Sequence, residues 1–296
     1  MVEIKNVKKA IIPVAGLGTR MLPATKAVPK ELLPILDKPL IQHILEEAVT
    51  GGVEEIILVT RRGKEAIENH LDDNFELEHY LKEKNKKKFL KNFPQITLKG
   101  ISVLSIIQEK PLGLGHAIFS AKPAIKKNEP FAVLLPDEFL ISKKKEGDFS
   151  KLVKNYCKTG NGQILVEKIR RNKAGNYGMV QLDKNYIKAD AQNIVKDVIE
   201  KPSTNNIPSN LRIVGRYIFP YTIMNYLEKL KPGKDNELQL TDAIKDFIKE
   251  GSHNIDAILS NSKIFDCGSP KGFIGANISL ASQDVMMKKY MEKILK

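Results

Sequence analysis

The stretch AIIPVAGLGTRMLPATKAVPKELLPI, residues 10–35, decides how the chain is read. Its first six residues form an apolar, β-rich run of the length of a buried strand. They open into a loop that holds Gly16 and Gly18 and carries Arg20, Lys26 and Lys30. Paired glycines let backbone N–H groups approach an anion closely, and a guanidinium with an ammonium at its flank neutralises a polyphosphate. Taken alone, a Gly-x-Gly loop also suits a plain tight turn between strand and helix, so the rest of the chain has to choose.

Outward from this loop the chain keeps a βαβ rhythm. The runs AIIPVA (10–15), EEIILVT (54–60), ISVLSIIQ (101–108) and FAVLLPD (131–137) alternate with helical patterns, among them PLIQHILEEAVTGG, closed by glycines, and a helix from about Gly115. Such alternation predicts a parallel sheet covered by helices on both faces. Between Arg61 and Gly100 the sequence is mostly helical and charged and far longer than a crossover needs, so it is read as a helical insertion. The second half mixes strands (QILVEKI, YGMVQLD, NIVKDVIEKP, RIVGRYIFP) with helices (YTIMNYLEKL, LTDAIKDFIKEG), so the sheet should gain antiparallel members. The expectation is an α/β fold: a Rossmann-like, mixed, mostly parallel central sheet flanked by helices. One domain spans 1–296, with the insertion at about 61–100 and C-terminal helices, suited to subunit contact, from about 270.

Composition narrows the classes. A chain of 296 residues that is 42% hydrophobic and 28% charged is an ordinary globular protein, not a disordered, collagenous or disulfide-stapled one. The formal charge of +13 raises nucleic-acid binding, but the basic residues are 41 lysines against 7 arginines, and the densest run, Lys82 to Lys91, holds no arginine and a single aromatic, Phe89. It reads as a solvated helix face. Cys157 and Cys267 have no metal-ligand spacing, and nowhere do 18 apolar residues run uninterrupted. A cytoplasmic protein with neither a nucleic-acid nor a membrane partner is expected.

Chemistry concentrates where strands end, and in open parallel sheets ligands bind beyond the carboxyl ends of strands. Gly16 to Arg20 follow the first strand, Gln108 and the PLGLGH loop (Pro111 to His116) follow the third, and Asp137 closes the fourth. A dinucleotide fingerprint fails, because Met21 stands where a third glycine belongs and Thr60, Arg61 and Arg62 stand where an acid should end the second strand. Arg61 or Arg62 holding an NADP phosphate keeps an NADP-dependent oxidoreductase as an alternative, whereas no Gly-Lys-Ser/Thr follows Gly18 to make a P-loop. Asp137 is either a helix cap or a Mg²⁺ ligand, and Asp266 in IFDCGSP shares its strand-end context. Glu200 and Lys201, ahead of Pro202, are either a solvated strand end or a pair that accepts from sugar hydroxyls and holds a nearby anion. His43, His70, His79, His116 and His253 read as surface or packing residues, and no Ser/His/Asp or Cys/His set is visible.

The blocks AGLGTRMLPATKAVPKELLPI, NHLDDNFELE, QEKPLGLGHAI, LLPD, YGMV, VIEKP, IVGRYIF, ELQLTDAI and FDCG, spread over nearly the whole chain, resemble those of the bacterial UTP-glucose-1-phosphate uridylyltransferases. Related thymidylyltransferases typically show GGSGTRLYP and Gly-Asp-Asn where this chain has AGLGTRMLP and Leu-Pro-Asp. The resemblance implies a nucleotide-diphospho-sugar transferase fold that makes UDP-glucose and pyrophosphate from UTP and glucose 1-phosphate, with Mg²⁺, as a homodimer or homotetramer. A thymidylyltransferase, or a uridylyltransferase for another hexose 1-phosphate, is the alternative within the class. It further implies Arg20 and Lys30 as catalytic cations on the leaving pyrophosphate, and Ala15, Gly16, Gly18, Gln108 and Gly113 as nucleotide contacts. Asp137 and Asp266 become the metal pair, with Glu138 a further carboxylate close to it, and Gly178, Glu200 and Lys201 hold the sugar phosphate.

Overall fold

The computed structural model describes residues 5–93, 98–142, 146–184, 186–187, 192–251 and 254–294. The first half supplies β1 (Lys9–Pro13), a small hairpin of β2 (Pro34–Ile35) and β3 (Lys38–Pro39), then β4 (Glu55–Thr60), β5 (Ser102–Ile107), β6 (Phe131–Leu134) and β7 (Glu138–Ile141). The second supplies β8 (Gly162–Lys168), β9 (Gly178–Leu182), β10 (Val195–Glu200), β11 (Leu211–Phe219), β12 (Ile255–Leu259) and β13 (Lys263–Asp266).

The main sheet is mixed and runs in the order β10-β9-β11-β6-β1-β4-β5, with β8 also paired to β11 and β12 beside β8. β1 is parallel to both β4 and β6, and β4 is parallel to β5, so four carboxyl ends share one edge. β11 runs antiparallel to β6, which is the change of direction expected for the second half. β7 and β13 form a separate antiparallel ribbon.

Strand alternation explains the two cores. Ile11, Ile57, Val59 and Val133 face one way, onto the helices Leu114–Ser120 and Leu240–Lys249, while Ala10, Ile12, Ile56, Leu58 and Leu134 face the helices Leu40–Thr50 and Asp148–Thr159. In Leu240–Lys249 the buried residues Leu240, Ala243, Ile244 and Phe247 keep helical spacing, so one stripe is apolar. Gly51 ends Leu40–Thr50 where a Cβ would lie 2.4 Å from the Phe149 ring, so only glycine lets these two helices meet. Coverage on both faces stops before the edge: in β5, Val103, Leu104 and Ile107 are exposed. Within 61–100 lie the helices Glu65–Leu71 and Phe75–Glu83, and from 270 onward Pro270–Ala281 and Val285–Ile294.

Among the buried polar groups, Arg216 ties separate elements together across this apolar interior. Arg216 on β11 is 0% exposed, and its Nε and Nη2 donate to the Glu47 carboxylate at 2.9 and 2.8 Å. Nη1 donates to the carbonyls of Leu135 and Gly215, both at 3.0 Å, and Nη2 also to that of Glu138 at 2.9 Å. All five N–H donors are used. Helix Leu40–Thr50, β11 and the turn between β6 and β7 therefore meet on one guanidinium. Arg216→Met should cost about 3–5 kcal/mol in urea unfolding, because it strands a carboxylate and three carbonyls. Adding Glu47→Leu should recover part of that loss.

Candidate active site

The shared edge of the parallel strands carries the strand-end residues of the first half of the chain, while Asp266 closes β13 and Glu200 closes β10. In the order β6, β1, β4, β5 the edge presents Asp137, the loop Gly16 to Arg20, Arg61 and Gln108. The loop after β1 turns at Gly18, whose φ of 68° favours glycine, and Thr25 Oγ1 donates to the Gly18 carbonyl at 2.7 Å. Met21, where a dinucleotide loop would need its third glycine, is buried and anchors the loop instead.

At the middle of the edge four charges converge. The register of the β7–β13 ribbon sets Asp266 opposite Glu138, and the Cys267 N–H donates to the Asp137 carbonyl at 2.7 Å, so the two aspartates become neighbours. Arg20 Nη1 donates to Asp266 at 2.8 Å while its Nη2 lies 3.8 Å from Asp137, and Lys30 Nζ donates to Asp137 at 2.9 Å. A Cβ on Gly268 would stand 2.5 Å from Arg20 Nη2 and 3.0 Å from Asp266 Oδ1, so a side chain there would displace the charged ends of this cluster. Burial alone would raise the Asp137 carboxyl, yet Lys30 and Arg20 hold it below its usual value. Burial alone would lower Lys30, and Asp137 and Glu31 keep it raised. Lys30 is placed by its neighbour: Glu31, 1% exposed, pairs at 2.7 Å with Lys64, which also donates to the Val14 carbonyl at the end of β1.

Among the described residues no group of three or more His, Cys, Asp and Glu is gathered to hold a metal ion. Two hard carboxylates converging on one cation are nevertheless the donor set that Mg²⁺ shares with phosphate oxygens and water.

On one side of this cluster lies a cavity of about 230 Å³ lined by Tyr177, Gly178, Glu200, Gln239 and Thr241 and by Arg20, Asp137 and Asp266 of the cluster itself. Thr241 Oγ1 donates to Glu200 at 3.2 Å, and a Cβ on Gly178 would come within 3.1 Å of the same carboxylate oxygen. Lys201, with φ of 41°, donates to Asp235 at 2.8 Å, and this bond raises its pKa. Glu138 departs from expectation. Its carboxylate does not join the aspartates but accepts from Arg212 at 2.5 Å and from the Gly215 N–H. Arg212, also bound to Glu167 at 2.7 Å, lies 4.6 Å from the Tyr177 ring centroid and braces that wall of the cavity.

On the other side a cavity of about 510 Å³ is lined by Ala15, Leu17, Arg61, Arg62, Gln108 and Pro111. Gly113 adopts φ of 106°, and its Cβ would fall 2.8 Å from Glu237 Cβ. The Leu238 N–H donates to the Leu112 carbonyl at 2.7 Å and the Gly115 N–H to the Leu238 carbonyl at 2.8 Å, so the loops of the two cavities are stitched together. His116 is not merely a packing residue: its Nδ1 lies 2.9 Å from Gln108 Nε2. His43 packs against Phe139 at 5.0 Å and His70 meets Gln42 at 3.2 Å, as expected of structural histidines, while His253 lies outside the described residues.

Sequence reasoning passed over Tyr177, Gln239, Thr241, His116 and the Glu31–Lys64 pair. The signal for the first three was their place inside the YGMV and ELQLTDAI blocks, and for His116 its adjacency to the glycine loop.

Sheet and cleft together define the class: an α/β enzyme that handles a nucleotide and a second phosphate across the mouth of a parallel sheet. The chain belongs to the nucleotidyl transferase family, whose sequence model matches residues 9–283. It is 41% identical to the UTP–glucose-1-phosphate uridylyltransferase of Haemophilus ducreyi, over 97% of this chain and 98% of that one. It is 42% identical to the enzyme of the same name from Escherichia coli, over 92% and 89%. The fold superposes on the UTP-bound UGPase of Acinetobacter baumannii with a TM-score of 0.89 at 37% identity, covering 98% of both chains. A UDP-glucose pyrophosphorylase complexed with UDP-glucose gives 0.84 at 35% identity, over 94% of this chain and 100% of that one. Family membership leaves the oxidoreductase reading without support.

The aspartate pair also depends on a buried acid beyond the cleft. Asp148, 2% exposed, accepts from Ser260 Oγ at 2.6 Å, Ser262 Oγ at 2.7 Å and the N–H groups of Asn261 and Ser262, and so fixes the loop that leads into β13 and Asp266. Burial pushes its pKa up, but the hydroxyls, Lys151 and Asn261 outweigh that and hold it below the ordinary value. A depressed folded-state pKa gives stability that is present above the unfolded value and lost as pH falls through the folded one. Asp148→Asn should therefore lower unfolding free energy by about 2–4 kcal/mol at pH 7. The gap should close below about pH 4 in denaturant titrations run as a pH series.

Proposed function

We propose that the chain transfers the uridylyl group of UTP to α-D-glucose 1-phosphate, giving UDP-glucose and pyrophosphate. The observation that carries this reading is the position of the Arg20, Lys30, Asp137 and Asp266 cluster between two cavities, one with the groups for a pyrimidine edge and one with the groups for sugar hydroxyls. The relatives that bind UTP and UDP-glucose support it.

In this reading a phosphate oxygen of glucose 1-phosphate attacks the α-phosphorus of UTP in line, and pyrophosphate leaves from the opposite side. The attacking oxygen arrives ionised, so neither a covalent residue nor a general base is needed, and the work of the site is positioning and charge neutralisation. Ala15, Gly16 and Gly18 hold the nucleotide against the end of β1, and Gln108 and Gly113 face its uracil. Arg20 and Lys30 stabilise charge on the departing pyrophosphate. Gly178 leaves room for the glucose ring, Glu200 accepts from its hydroxyls, and Lys201 holds its phosphate. Each of these three cations is paired with a carboxylate in the structure, Asp266, Asp137 and Asp235 respectively, so a phosphate that docks competes for a cation already held in place. Asp137 and Asp266 hold Mg²⁺, which when bound supplies neutralisation of the phosphate charge. We further assign the chain as one domain, cytoplasmic, working as a homodimer or homotetramer. Among the described residues no helix is long and apolar enough to cross a membrane.

A pyrophosphate-release assay tests the reaction. UTP with glucose 1-phosphate should be the best pair against dTTP and against galactose or N-acetylglucosamine 1-phosphate, and chelation of Mg²⁺ should abolish release. The extra methyl of thymine should cost roughly 10–200-fold. No release with any metal overturns the reading. Asp137→Ala should lower turnover about 100-fold or more, and near-wild-type Mg²⁺-dependent turnover in that variant would remove the metal assignment. Lys201→Ala should act mainly on KM for glucose 1-phosphate, raising it about tenfold or more.

A further inference from the structure

The assignment of Gln108 to the pyrimidine edge leaves a question that residue type cannot answer. A carboxamide has a donor end and an acceptor end, and turning it over by half a rotation presents either one to a ligand. Uracil carries a donor at N3, cytosine an acceptor. A freely turning glutamine would serve both bases.

In this structure Gln108 is not free to turn. Its backbone N–H donates to the Thr60 carbonyl at 2.7 Å, which fixes its Cα at the end of β5. Its Nε2 donates to the Gly113 carbonyl at 3.3 Å and lies 2.9 Å from His116 Nδ1. A carbonyl oxygen only accepts, so the nitrogen end of the amide faces the Pro111 to His116 loop, and the tautomer of His116 with its lone pair at Nδ1 is the one that gives this nitrogen a second acceptor. Both amide N–H donors are then spent inside the protein. Oε1 makes no hydrogen bond among the described residues, and it is the end left for the cavity that Gln108 shares with Ala15 and Leu17. The loop that sets these two acceptors is itself rigid, because Gly113 and Gly115 are pressed against Leu238 and bonded around it.

We propose that His116 is a positioning residue for base specificity: it locks the Gln108 amide with its acceptor outward, so that the site takes a base with a donor at N3 and rejects cytosine. The inference rests on the uridylyl-transfer reading and adds to it a reason for discrimination at the base edge. Facing cytosine, Oε1 would meet a second lone pair, and turning the amide over would set its oxygen against the Gly113 carbonyl and the His116 lone pair. Either way acceptors are left opposed in a site where Gln108 is only 7% exposed, and unpaired polar groups there are costly.

The experiment compares kcat/KM for UTP and CTP, with glucose 1-phosphate as acceptor, in the wild type, His116→Asn and His116→Leu, with thermal unfolding of each. Asparagine keeps an acceptor near the Nδ1 position and leucine removes it. The wild type should favour UTP by about 100-fold or more, and His116→Asn should keep that ratio within about threefold. His116→Leu should lower the ratio about tenfold or more while leaving KM for glucose 1-phosphate unchanged. An unchanged ratio in His116→Leu, or a ratio lost equally in His116→Asn, overturns the positioning role. A second measurement needs no variant: imidazole ¹⁵N spectra of the folded wild-type protein should show His116 Nδ1 unprotonated, and a protonated Nδ1 at neutral pH overturns the lock. Absence of any wild-type turnover with UTP refutes the proposed reaction instead, and the tautomer measurement still decides the lock.

Discussion

The buried Arg216 guanidinium is the interaction on which the other features of the cleft depend. It is expensive to place a charge in an apolar interior, and this one is stable there because every N–H finds an acceptor. Three of those acceptors are backbone carbonyls of the segment that turns out of β6 and of the strand beside it. The turn that carries Asp137 is therefore shaped by a side chain that never reaches solvent. With Asp137 placed, the β7–β13 ribbon brings Asp266 beside it, and Arg20 and Lys30 have a fixed negative partner to organise around.

The same logic runs through the cleft. Arg20, Lys30 and Lys201 are each held by a carboxylate, and Glu200 accepts from the Thr241 hydroxyl. Lys30 precedes Glu31, which Lys64 ties to the end of β1; Tyr177 is braced by Arg212, which Glu138 and Glu167 hold. A site that works by positioning polyanions needs such restraint, because freedom lost on binding would otherwise be taken from affinity. The cost is a set of buried ionic contacts whose members depend on one another, so single substitutions in the second layer disturb more than one function.

Much of this was legible in the sequence. The parallel strands and their helices followed from alternating apolar runs, and the rule that ligands gather at carboxyl strand ends brought Gly16, Gln108 and Asp137 onto one edge before any coordinates. Asp266 and Glu200 were also legible as carboxylates closing apolar strands. What pattern could not supply was direction. Adjacency to Asp137 suggested that Glu138 would join the metal pair, yet strand alternation turns it to the opposite side, onto Arg212. His116 looked like a helix-surface residue because its partner, Gln108, is eight residues away across a loop whose path is set by Leu238. The two-face burial expected of β5 failed for the simpler reason that it is the edge of the sheet, where apolar side chains such as Val103 and Leu104 have fewer neighbours to cover them.

The stitching of Leu238 between Leu112 and Gly115 has a consequence for how such an enzyme can change. Leu238 stands one residue before Gln239, which lines the cavity of Glu200 and Tyr177, and its backbone holds the loop beside Gln108 in the other cavity. A substitution that moves the Leu238 backbone to reshape one cavity therefore also moves the loop of the other. Under the proposed reaction, sugar and base preference are thus coupled through one backbone residue, and changes at the far wall, at Tyr177 and Glu200, are the ones that leave the Leu112 to Gly115 loop in place.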